Sequence, residues 1–238
     1  MTTLHLIRHG RASALEADYD KLHTMGEAQA RLLGEHLARV GQAFDAVYVG
    51  PLKRQLDTLR LMRETSEPRG LRWPDATVLD GLAEGPFEVL FKTYLRPRIK
   101  SDAKLQTLVA TLRAATDEDT RQATMEAVFD RMVELWRAGE VVGDDLEPAA
   151  SFEARVTQAK DVIAQREGAG RQVAVVTSNG VIGSLLETLA GEPPAPGRAR
   201  HRLYNTSVSV IELADSGARL HRRNTTEHID DPELLTLL

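Results

Sequence analysis

The spacing of hydrophobic positions along this chain changes several times, and the changes mark alternating strands and helices. Leu4, Leu6 and Ile7 form a short apolar run over residues 3–8, which predicts a strand. Beyond it, Met25, Ala28, Leu32, Leu33, Leu37 and Val40 recur at helical spacing, with Thr24 and Glu27 as a capping box and Gly41 as the stop. Residues 45–49 read as a second strand. Pro51 then falls in the first turn of a helix whose apolar stripe is Leu52, Leu56, Leu59 and Met62, so Arg54 also lies in that first turn. Phe152, Val156, Ala159, Val162 and Ile163 mark another amphipathic helix, leading across Gly168 and Gly170 into the continuous apolar run 173–177. Such a run predicts a strand buried on both faces. Residues 206–213 supply the last expected strand.

Strands alternating with helices imply an α/β fold: a mostly parallel central sheet covered on both sides, in three α/β/α layers. Ligands of such sheets bind beyond the carboxyl ends of the strands, where His9 and Asn179 both fall. A chain of 238 residues is expected to form one domain over 1–238, with a helical insertion at about 85–150 where the alternation breaks. Within that insertion Phe87, Phe91 and Tyr94 share one helical face, and Lys92, Arg96 and Lys100 share another. The aromatics read either as core or as a lid over a ligand, and the charges as a solvated face.

Composition narrows the function classes. With 42% hydrophobic and 27% charged residues the chain folds, and no apolar run approaches the ~20 residues a membrane span needs. A net charge of −5 argues against a general nucleic-acid binder, while leaving room for a locally basic pocket. The chain has no cysteine and opens on a strand pattern rather than a basic and apolar leader, so a cytoplasmic location is expected. No His/Asp/Glu cluster has metal-ligand spacing, and neither metal nor cofactor is expected. Nothing in the sequence speaks to oligomeric state.

Residues 6–13 read LIRHGRAS, placing Arg8, His9 and Gly10 directly after the first strand. An imidazole beside a guanidinium on a glycine turn is equipment for accepting a phosphoryl group. The arginine neutralises phosphate oxygens, the neutral ring nitrogen attacks phosphorus, and the glycine admits the anion to the backbone.

Four stretches, in order, resemble the histidine phosphatase (phosphoglycerate mutase-like) superfamily: LIRHGRAS, residues 19–37, residues 44–58, and Leu82-Ala83-Glu84. Residues 175–183 and 205–213 extend the likeness into the last quarter of the chain. The resemblance implies a phosphoglycerate mutase-like fold, with His9 as the phosphorylated nucleophile and Glu84 as proton donor and acceptor. Arg8 and Arg54 would be the phosphate-clamping arginines, and a small phosphorylated substrate or phosphate the partner. Asn179, Gly180 and Ser13 match positions expected to contact the phosphate. His23 stands where the family prefers a small hydroxyl residue, and both Ser13 and His23 also read as turn or capping residues.

One landmark departs from the pattern. A His-Gly pair is expected after the strand at 173–177, and this chain has Asn179-Gly180, so the second active-site histidine is missing. An amide donates a hydrogen bond but carries no charge and relays no proton. The expectation is therefore a slow phosphomonoester hydrolase, with a non-catalytic phospho-ligand binder as the alternative. A phosphoglycerate mutase fits less well, because mutases follow the nucleophile with a tryptophan- and asparagine-containing stretch whereas residues 14–21 here read ALEADYDK.

Overall fold

The computed structural model describes residues 1–13, 20–214 and 217–237. Tyr19, where the second matching stretch begins, and residues 14–19, which depart from the mutase pattern, lie outside the described residues. The strands are β1 (Thr2–Arg8), β2 (Ala46–Val49), β3 (Ala76–Val78), β4 (Gln172–Thr177), β5 (Val208–Ala214) and β6 (Gly217–Thr225). They form one six-stranded sheet in the order β3-β2-β4-β1-β5-β6. The first four of these are mutually parallel, and β5 and β6 are antiparallel additions. The sheet is thus mostly parallel, as the strand–helix alternation requires.

The strand expected at 206–213 begins only at Val208 and is the first arm of a hairpin. Thr206 cannot belong to it because its φ is 57°, in the left-handed region. Two strands carry too little apolar signal to be read from the chain. β3 has three residues, and β6 is a largely exposed edge strand rich in Arg and His.

The helices are α1 (Thr24–Arg39), α2 (Lys53–Ser66), α3 (Phe87–Val89), α4 (Leu95–Ile99), α5 (Ala103–Ala114), α6 (Glu118–Arg137), α7 (Ala149–Arg166) and α8 (Asn179–Ala190). The cap of α1 is His23, whose Nδ1 accepts from the amide of Met25 at 3.1 Å; Thr24 is already helical, so the expected capping box does not form. The buried face of α1 is also rotated from the expected stripe. It consists of Gly26, Gln29, Ala30, Leu33, Gly34 and Leu37, while Val40 is exposed. Small residues at four-residue spacing let α2 come close: a Cβ on Gly34 would lie 2.3 Å from the carbonyl oxygen of Met62. In α2, Leu59, Leu61 and Met62 are buried and Leu56 faces out. Pro51 precedes the N-cap Leu52 and lies just outside the helix.

Ile7, Val47, Val49, Ala174 and Val176 on one sheet face pack with Leu33 and Leu37 of α1 and Leu59 and Met62 of α2. Every residue of 173–177 is buried, which is the two-sided burial its apolar run predicts.

The chain divides into two compact units, one of residues 1–84, 155–193 and 202–238, the other of 85–154 and 194–201. The second unit is helical and has its own aromatic core. Phe91 stacks on Phe129 at 4.4 Å between ring centres, and Phe87 and Phe152 both meet Trp136 edge-on at 5.7 Å. Tyr94 does not join them; its hydroxyl donates to Asp145. A π turn over Leu90–Tyr94 adds a residue to the helical repeat and turns that side chain off the face it would share in an α-helix. Lys92, Arg96 and Lys100 are exposed, as a solvated face requires.

Filling the α1–α2 contact should be costly. Gly34→Val is expected to lower stability by about 1–3 kcal/mol through overpacking. Gly168→Ala, where an added Cβ meets nothing within 4 Å, should stay near wild type. Equal urea midpoints for the two variants would show that α2 does not require the glycine.

Candidate active site

Ile7, Val176, Val49 and Val78 stand side by side across β1, β4, β2 and β3. The residues that follow each of them therefore leave the sheet at the same edge, and these segments carry His9, Asn179, Arg54 and Glu84. Helices α2 and α8 start there as well, with Arg54 and Gly180 in their first turns. The first-turn N–H groups and dipoles of both helices favour negative charge at this edge.

His9 is buried and its tautomer is determined by its neighbours. Nδ1 lies 2.6 Å from the carbonyl of Gly10, which can only accept, so Nδ1 carries the proton and Nε2 the lone pair. Arg54 Nε donates to that lone pair at 3.2 Å. Burial, then the charges of Arg54 and Arg8, hold the imidazole well below its ordinary range. Gly10 carries a packing constraint. A Cβ there would lie 2.4 Å from the carbonyl oxygen of Gly26, so the glycine is required by the close approach of α1.

Arg8 and Asn179 meet at one residue. The amide of Leu203 donates to Asn179 Oδ1 at 3.2 Å, and the carbonyl of Leu203 accepts from Arg8 Nη1, which also donates to Leu237 at 2.8 Å. Because Asn179 accepts through Oδ1, the orientation of its amide is determined. Glu84 accepts from the amide of Gly180 at 3.1 Å through Oε1. Ser13 is buried with its Oγ unpartnered among the described residues, and it bonds to none of these groups through its side chain. His23 is the cap of α1. Among the described residues, no group of three or more His, Cys, Asp or Glu side chains is placed to hold a metal.

Several residues to which the sequence assigned no role shape this edge. Asp20 Oδ1 accepts from Arg54 Nη1 at 2.6 Å while Oδ2 accepts from the amide of Lys53 at 2.7 Å. A carboxylate thus sits on both the guanidinium and the first turn of α2. On α7, Arg155 donates to the carbonyls of Gly81, Ala83 and Glu84 at 2.7–3.0 Å and fixes the backbone that carries Glu84. Residues 203–207 touch the site almost one by one: beyond Leu203, Asn205 Nδ2 and the amide of Thr206 donate to the carbonyl of His9 at 3.2 and 3.3 Å, and the amide of Arg8 donates to Ser207 at 3.1 Å. Acidic and polar residues in loops carry no periodic signal, so the sequence singled out none of them.

The family model described as histidine phosphatase superfamily (branch 1) matches residues 4–144 and 115–226. The chain is similar in structure to YhfR of Bacillus stearothermophilus, at 21% identity and a TM-score of 0.65, over 96% of this chain and 99% of that one. It is also similar to a phosphoglycerate mutase from Bacillus anthracis, at 20% identity and a TM-score of 0.64, over 95% of this chain and 94% of that one. A third likeness is to a phosphoserine phosphatase from Entamoeba histolytica in complex with 3-phosphoglyceric acid, at 18% identity and a TM-score of 0.61, over 96% and 99% of the two chains. At such identities these three likenesses speak for the fold.

The environment of His9 has consequences in acid. The ring should stay neutral with its proton on Nδ1 until well below pH 6.5, which long-range 1H–15N NMR reads directly. His5 and His36 are also lowered, chiefly by burial, and His228 is pushed down to about 4 by burial and then by His36. Each folded-state value lies below the unfolded one, so these groups stabilise the fold above about pH 6.5 and lose that contribution as pH falls toward the folded values. Urea midpoints should fall between pH 7 and pH 5, and a flat profile across that window would contradict the assignment.

Proposed function

The chain belongs to the histidine phosphatase superfamily, and from that premise we propose that it is a phosphomonoester hydrolase working through a phosphohistidine at His9 on a small phosphorylated substrate. The observation that carries this reading is the His9 ring itself: buried, protonated on Nδ1 by its bond to Gly10, with the Nε2 lone pair facing Arg54. A neutral imidazole held in that tautomer is a nucleophile without further proton transfer. Phosphoryl transfer otherwise asks for positioning and charge stabilisation, which Arg8, Arg54 and the first turns of α2 and α8 supply.

In this mechanism Nε2 of His9 attacks phosphorus as the bond to the substrate's bridging oxygen breaks, and Glu84 gives that oxygen a proton. The alcohol leaves. Glu84 then takes a proton from water, whose oxygen attacks the phosphohistidine and releases inorganic phosphate with His9 restored. Arg54 exchanges its contacts with His9 and Asp20 for phosphoryl oxygens during the first step. Ser13, whose buried hydroxyl has no partner among the described residues, is a further donor to the phosphate. The phosphoserine phosphatase that shares the fold is recorded with 3-phosphoglyceric acid, a small phosphorylated acid, which supports a substrate of this class.

Asn179 makes the reaction slow. Its amide supplies one neutral donor where a histidine would supply a charge-assisted one, and losing such a donor costs about 10²–10³ in rate. Its surroundings suit a histidine: Nδ1 of an imidazole could accept from the amide of Leu203 as Oδ1 does now, leaving Nε2–H for the phosphoryl group.

Two measurements test this. Rapid quench into base after mixing with a 32P-labelled aryl phosphate should leave base-stable label on the wild type and none on His9→Ala. Label persisting on His9→Ala would overturn the nucleophile, whereas phosphate binding without label would leave a phospho-ligand binder. Asn179→His should raise kcat at least about tenfold, equivalent to ~1.4 kcal/mol of transition-state stabilisation, with less change in phosphate affinity. No gain in a protein that does form the phosphohistidine would mean that Asn179 is not the limiting group.

A further inference from the structure

Thr206 is fully buried, β-branched and held at a φ of 57°, a conformation that a β-branched residue rarely adopts. Its surroundings hold it there. The Thr206 hydroxyl donates to the carbonyl of Asn205 at 2.7 Å, so its oxygen can only accept from His228 Nε2 at 2.8 Å. His228 therefore carries its proton on Nε2 and donates. On the other side of the same turn, the amide of Thr206 and the side chain of Asn205 converge on the carbonyl of His9. The hydrogen bond of His228 goes to Thr206, a residue without a part in the reaction itself.

We propose that His228 is a positioning residue: by donating to Thr206 Oγ1 it holds the left-handed turn that keeps two hydrogen bonds on the His9 carbonyl, and so aims the His9 ring. Without that donor Thr206 relaxes toward extended backbone, its amide swings away from His9, and the peptide carrying the nucleophile loosens. The neutral state of the His228 ring suits the task, since its proton then has one place to be. The inference rests on the reading of His9 as the nucleophile.

The ring is reachable from solvent. His228 lines a cleft of about 320 Å³ that also borders His5 on β1, His36 on α1, Glu212 on β5, and His221 and Arg222 on β6. The His36 ring stands 6.2 Å from that of His228, and Glu227 is its near neighbour along the chain. Free imidazole is small enough to enter a cleft of this size and supply the missing N–H.

The test is a cycle between the two residues, read on kcat and KM with an aryl phosphate. His228→Ala should lower kcat about tenfold and leave KM within about twofold, and His228→Gln, whose amide can still donate to Thr206, should recover most of the loss. Millimolar imidazole should partly restore His228→Ala and leave the wild type unchanged. A glycine adopts φ > 0 without a partner. In the Thr206→Gly background, whatever that substitution costs by itself, His228→Ala should therefore change kcat less than twofold. An equal loss in both backgrounds would overturn the proposal and make His228 a packing residue, as would a His228→Ala protein with wild-type kcat. The 15N signals of the His9 ring provide the same cycle without turnover: they should move on His228→Ala in the wild-type background and not in the Thr206→Gly background. If those signals behave so in a protein that never forms phosphohistidine, positioning holds and the hydrolase reading fails. If they do not move in the wild-type background, positioning fails whatever the activity.

Discussion

The backbone of His9 is held from both sides, and the geometry of the whole edge depends on that hold. Its N–H donates to Thr177 at the end of β4, and its carbonyl takes two donors from Asn205 and Thr206. One side is ordinary sheet continuation and the other is a left-handed turn just before β5. A residue leaving a strand is usually free to turn either way. Here both choices are removed, and the ring is left with one orientation in which Nδ1 meets Gly10 and Nε2 meets Arg54.

The electrostatic setting follows from topology more than from composition. The chain as a whole is acidic, at −5, yet two helices begin beside two arginines at the carboxyl ends of parallel strands. Backbone N–H groups and guanidinium charge add there with little solvent to screen them. Burial, then the charges of Arg54 and Arg8, keep the His9 imidazole neutral, and the same cationic edge holds two acidic side chains. Asp20 lies on Arg54 and the first turn of α2, and Glu84 lies on the first turn of α8.

Glycine and asparagine illustrate how differently motif residues are constrained. A Cβ on Gly10 would press on the Gly26 carbonyl and one on Gly26 on the Arg11 backbone, so neither tolerates a side chain, a demand of helix packing that coincides with the motif. Asn179 is constrained by the peptide of Leu203, which ties its amide to the same residue that holds Arg8. Asn179 is therefore built into a hydrogen-bond network with Arg8.

Much of this was legible in the chain. The 173–177 run, the stripe of Phe152, Val156, Ala159 and Ile163, and the placement of Arg54 in a first turn all follow from local periodicity, which burial then enforces. The Arg8-His9-Gly10 and Asn179-Gly180 pairs were visible because strand ends align in a parallel sheet. What could not be read depends on partners distant in sequence. Gly26, Ala30 and Gly34 outrank the larger apolar residues of α1 only because α2 packs there. The hold of Arg155 on the Glu84 backbone spans about seventy residues, and those of Asn205 and Thr206 on His9 nearly two hundred. By itself the sequence determined the strand–helix order and the residue types at the strand ends, because these are local consequences of hydrophobic period. Tertiary structure alone decided which hydrogen bonds orient those residues, because a loop side chain has no preferred partner until the sheet brings one to it.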